Sequence, residues 1–102
     1  MTQADRAQLE KDVLYDVVTA QRECNDYRVK LARTADALAE LARGLRDCPE
    51  LVTPLPEVNT PDYREGLNLL NSRAEVIGLC DSLREAKEKL RRREGRKADL
   101  GF

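Results

Sequence analysis

The chain has 102 residues, of which 41% are apolar and 36% charged, with no Trp, no His and a formal net charge of -1. That length allows one small domain, and five Gly with four Pro are too few for a disordered linker or a turn-rich all-β sandwich. The lack of His removes the commonest general base, the Ser-His and Cys-His nucleophile pairs and every zinc site that needs imidazole. No apolar run approaches the ~18 residues of a membrane span, and Met1 leads into a polar stretch unlike a signal peptide, so a cytoplasmic protein off the membrane is expected.

The first predicted element is a long helix. From Val13, alternating steps of four and three residues reach Val17, Ala20, Cys24, Tyr27, Leu31, Thr34, Leu38, Leu41, Leu45 and Cys48 without meeting a charge. This is coiled-coil seam spacing, and the two-residue alternation of a strand finds no support. No Pro precedes Pro49, and Thr2 or Asp5 can cap the start. A helix over 4–47 would be ~65 Å long at ~1.5 Å per residue. Ala32, Ala35, Ala37, Ala39 and Ala42 surround the seam and permit close approach by neighbours.

A Pro-rich connecting loop follows over 48–60, holding Pro49, Pro54 and Pro56 among the apolar residues Leu51, Val52, Leu55 and Val58. So apolar a loop is expected to fold over the end of a helical bundle. The second helix has a distinct start: Thr60 as N-cap, Pro61 at the first helical position, Asp62 and Glu65 at the positive end of the dipole. It is expected over 61–94, stopped by Gly95, with a frayed tail over 98–102. The architecture is therefore all-α: one domain over 1–102, an antiparallel two-helix hairpin pairing residues whose numbers sum to ~108.

The second helix carries two apolar stripes. Tyr63, Leu67, Leu70, Ala74 and Ile77 form one, and Leu69, Ser72, Val76, Leu79, Leu83, Ala86 and Leu90 form the other. An offset of two residues is ~200° around a helix, so one partner helix cannot cover both. Gly66 and Gly78, each costing ~1 kcal/mol relative to Ala inside a helix, are expected to make room for a facing backbone. The unsatisfied stripe implies association, with Leu69, Val76, Leu79, Leu83 and Leu90 as the self-association surface of a dimeric four-helix bundle, or docking on another helical protein.

Candidate chemistry is sparse. The pairs Asp12/Asp16 and Asp81/Glu85 each share a helix face, but carboxylate sites in bundles recruit His as well, so these acids are expected as solvated surface. Cys24, Cys48 and Cys80 form an odd, widely spaced set, expected as reduced thiols, with Cys24 and Cys80 packed on apolar stripes. No phosphate loop, dinucleotide fingerprint or activated nucleophile is present, so neither enzyme activity nor a cofactor is expected.

Charge is uneven along the chain. Residues 49–82 carry six acids against two bases, whereas 83–102 carry eight bases against four acids. Within the basic segment 84–97, which overlaps the tail 91–102, Arg91, Arg92, Arg93, Arg96 and Lys97 are candidate phosphate-binding residues. Asp12, Asp16 and Glu23 are expected to neutralise part of this cluster. Arg outnumbers Lys 13 to 5, the balance of a GC-rich bacterial genome. The reading is a self-associating, non-catalytic coiled-coil adaptor or assembly module. The alternative is a small nucleic-acid-associated protein using 84–97.

Overall fold

The computed structural model describes residues 2–53, 59 and 61–102, with Asp62 described by its backbone alone. All regular structure among the described residues is helical: α1 (Gln3–Asp47), a single 3-10 turn (Pro49–Leu51), α2 (Pro61–Asn71) and α3 (Arg73–Asp99). The expected N-cap Thr60, the loop residues Pro54, Leu55, Pro56 and Val58, and the Asp62 carboxylate lie outside the described residues.

Both ends of the helical sequence are capped by their own residues. At the start, Thr2 Oγ1 accepts the Asp5 N–H at 3.1 Å and Asp5 Oδ2 accepts the Thr2 N–H at 3.2 Å. This is a reciprocal capping box, with the carboxylate at the positive end of the dipole. At the other end the expected stop at Gly95 does not occur, and α3 continues through it to Asp99. The chain turns instead at Gly101, whose φ of 76° suits only a residue without a Cβ. The Gly101 N–H reaches the Ala98 carbonyl at 3.0 Å and the Phe102 N–H reaches Lys97 at 3.0 Å. These two bonds satisfy carbonyls that a bare helix end would leave open.

The helix expected over 61–94 is two helices, because the ladder is interrupted at Ser72. Its N–H is shared between the carbonyls of Asn68, at 2.9 Å, and Leu69, at 3.2 Å, while its own carbonyl takes the Glu75 N–H three residues on. Asn71 and Ser72 are weak helix formers that compete with the backbone for hydrogen bonds, and the chain tightens where they stand together.

The chain divides into two compact units, one of residues 1–28 and 81–102, the other of residues 29–80. In the first, Val13, Val17, Ala20 and Cys24 of α1 and Ala86 of α3 are buried. Arg6 Nη2 donates to the Leu100 carbonyl at 3.2 Å, Asp16 pairs with Arg93 at 2.9 Å, and Glu23 pairs with Lys89 at 3.3 Å. Each step forward on α1 matches a step back on α3, so within this unit the two segments run in opposite directions. The Arg6 guanidinium also lies 4.9 Å from the Phe102 ring centroid. The tail expected to fray is therefore held from both sides, by its own cap and by Arg6.

In the second unit, Thr34, Ala37 and Leu41 of α1 are buried, and two glycines set the approach of α2. A Cβ on Gly66 would stand 2.7 Å from Leu41 Cβ and 2.8 Å from the Ala37 carbonyl. A Cβ on Gly44 would meet the Tyr63 ring, 2.6 Å from Cζ. The close backbone approach expected at Gly66 is present, whereas a Cβ on Gly78 would meet nothing within 4 Å. Buried Asn59 bridges Thr53 and Arg64. Its Oδ1 accepts the Thr53 N–H at 2.9 Å, its Nδ2 donates to the Thr53 carbonyl at 3.0 Å, and Arg64 reaches its backbone carbonyl at 3.2 Å.

The heptad seam of α1 is buried or half-buried from Val13 to Leu41 and again at Cys48. Its one fully exposed member is Leu45, with 51% of its surface accessible. Buried Thr34, the seam's one aliphatic hydroxyl, donates its Oγ1 proton to the Lys30 carbonyl at 3.1 Å.

Candidate functional site

Two surfaces emerge: a cationic pocket in the first unit and an apolar strip in the second. Lys89, Arg92, Arg93 and Arg96 recur at intervals of three, one and three residues, so all four share one face of α3. With Val13 and Asp16 of α1 they line a pocket of about 440 Å³. Val13 is 1% exposed and supplies an apolar floor.

The five residues expected to bind phosphate separate into different roles. Arg91 faces outward and forks onto Glu88, Nε to Oε2 at 3.1 Å and Nη2 to Oε1 at 2.5 Å. Those bonds hold the Glu88 carboxyl below its usual range and raise the Arg91 guanidinium in return. Arg93 is half-buried and committed to Asp16. Lys97 lines a neighbouring pocket beside Gln21 and Phe102. Arg92 and Arg96 are exposed and make no hydrogen bond or ion pair among the described residues, although the Arg92 charge also acts on the Glu88 carboxyl. Lys89 was missed as a site residue. Its signal was its place on the shared face, which a reading of the basic run as a consecutive string passes over.

Of the internal partners expected for the cluster, Asp16 pairs with its member Arg93, Glu23 pairs instead with Lys89 outside the five, and Asp12 accepts from Gln8 Nε2 at 3.0 Å. Asp81 pairs with Arg84 at 2.6 Å. No group of three metal-ligating side chains occurs among the described residues.

The thiols differ from expectation at one position. Cys24 is buried, Cys48 half-buried and Cys80 exposed, and none is in a disulfide. The seam position of Cys24 covers it, but Cys80 falls outside both stripes of the second helical segment. Cys48 Sγ lies 3.4 Å from Tyr63 Oη, and that contact, helped by partial burial, pushes the phenol above its usual range.

On α2 and α3 the residues expected to self-associate, Leu69, Val76, Leu79, Leu83 and Leu90, are each half-buried in the single chain. The more exposed apolar positions belong to the other stripe: Leu70 at 60% and Ile77 at 46%, with exposed Ala74 between them. Val29 and Leu45 of the same unit are also exposed. No helix among the described residues is long and apolar enough to cross a membrane. No protein-family model, curated protein or solved structure matches the chain.

Proposed function

We propose that the chain is an antiparallel helical hairpin that self-associates, as a homodimeric four-helix bundle, and serves as a non-catalytic adaptor or assembly module. The observation that carries this reading is the surface left in water. The chain exposes 7456 Å². Folded monomers of 11.6 kDa leave about 5,800 Å² exposed, so the surplus is about 1,600 Å². A standard interface removes about 800 Å² from each partner, well within that surplus.

The interior supports the same reading. Among the described residues its buried apolar set is Val13, Val17, Ala20, Cys24, Ala37, Leu41 and Ala86, of which only Leu41 and Val13 are large side chains buried almost completely. A core built so largely of Ala and small side chains removes little apolar area from water, while Leu70 and Ile77 remain outside it. Their exposure supports a proposed interface centred on Leu70, Ala74 and Ile77. The half-buried stripe through Leu79 and Leu83 has less free area to offer.

Thermal unfolding at several protein concentrations tests the proposal. Self-association makes the midpoint rise with concentration. The Leu70→Glu/Ile77→Glu variant is expected to fold with unchanged helicity and to lose that dependence. A wild-type midpoint independent of concentration would refute the proposal.

A further inference from the structure

We propose that the pocket lined by Lys89, Arg92, Arg93 and Arg96 of α3 with Val13 and Asp16 of α1 binds a small anion carrying two adjoining phosphate groups, the diphosphate class. The site goes beyond the proposed self-association and stands apart from it.

Among the described residues the fold leaves part of the α3 charge without an ion-pair partner. Arg93 is held by Asp16 at 2.9 Å and Lys89 by Glu23 at 3.3 Å, so two of the four cations are positioned and partly offset by α1. Arg92 and Arg96 form no ion pair with α1 and both line the same pocket, Arg92 sharing only a longer-range attraction to Glu88. They stand four residues apart on α3, one turn along a single face, with a rise of about 6 Å between their Cα atoms. Each guanidinium is a planar fork that takes a phosphate through two parallel N–H donors. A single small anion occupies one fork, whereas two phosphate groups joined through a shared oxygen can engage both.

The depression is large enough for a small anion and is open to solvent on one side. About 440 Å³ lies in the range of small-molecule sites, roughly 300–1,000 Å³. Among the described residues no aromatic side chain lines it to offer a base a stacking platform. The apolar floor at Val13 lowers the local dielectric and strengthens each charge-assisted hydrogen bond above it. Asp16 sits in the lining as the one carboxylate, and it fixes Arg93 in place while opposing the ligand's charge.

Isothermal titration calorimetry of the full chain with inorganic diphosphate, at about 50 mM salt to limit screening, tests the site. One ion is expected to bind per chain. Arg92→Gln and Arg96→Gln should each weaken binding at least tenfold with helicity unchanged, since both side chains are exposed. Arg91→Gln should leave affinity within twofold, because Arg91 faces away and is paired with Glu88. Asp16→Asn should tighten binding by removing the opposing charge. Three results would overturn the assignment: no saturable binding, an equal loss in Arg91→Gln, or duplex DNA bound more tightly than diphosphate through the same two arginines. Self-association is read separately by mass, so failure of either inference leaves the other standing.

Discussion

Gly66 and Gly78 occupy similar places in the sequence and opposite places in the structure. At Gly66 an added methyl would press on Leu41 Cβ and on the Ala37 carbonyl, and backbone cannot yield cheaply. Gly66→Ala is expected to destabilise by about 1–3 kcal/mol of overpacking, less the ~1 kcal/mol of helix propensity it gains. Gly78→Ala meets nothing and should stabilise by about 0.5–1 kcal/mol. Urea unfolding of the two variants reads both signs. Equal effects would show that the approach of α2 to α1 is misplaced. Helix propensity marks both glycines as costly, but only the azimuth of each on its helix decides which one faces a backbone, and composition does not carry that azimuth. The thiols repeat the lesson. A native-state thiol reagent should label Cys80 first, Cys48 next and Cys24 last, following exposed, half-buried and buried positions. Rapid labelling of Cys24 would contradict the burial of the seam.

The helix ends were legible to different degrees. Thr2 and Asp5 stand three residues apart before a run of helix formers, and that spacing is itself a capping signature. Hydrogen bonds from Thr2 lower the Asp5 pKa, so the folded-state value lies below the unfolded one. The cap's electrostatic contribution is therefore present above about pH 4 and lost as pH falls through the folded-state value. Amide exchange in the first turn of α1 should accelerate over that acid range, measured against its trend with pH, and Thr2→Ala should remove the feature. No change in either would show that the capping box does not form. At the other end, Gly95 and Gly101 present the same residue type, and the nearer is the natural stop by rule. The choice falls to Gly101 because its turn lets Phe102 and the Leu100 carbonyl meet Arg6, almost the whole chain away in sequence. Such contacts depend on tertiary placement. The break at Ser72 is a local event, yet it stood inside an apolar heptad pattern that concealed it.

For the chain as a whole, the seam was readable and the partner of each stripe was not. An uncharged heptad series over most of α1 is a strong signal, and its positions from Val13 to Leu41 are covered accordingly. Two opposed stripes on the second helical segment required two neighbours. Periodicity alone does not say which stripe packs within the chain and which is left over. The half-burial of Leu79 and Leu83 gives a test with a definite direction. Leu79→Glu/Leu83→Glu should lose helicity and unfold at lower urea, because charges would enter partly covered positions. Leu70→Glu/Ile77→Glu should remain folded. A folded first variant with a lost dimer would move the interface back to the stripe through Leu79. The cationic pocket was legible in its residue types but not in its membership. Arg91 left the set by pairing with Glu88, and Lys89 entered it by helical phase.

Self-association is tested most directly by the mass of the wild-type chain in solution, measured by light scattering on the eluting peak at micromolar concentration. A particle of twice the 11.6 kDa chain mass is expected, falling to a single chain in Leu70→Glu/Ile77→Glu. A wild-type peak at 11.6 kDa would contradict the proposed bundle.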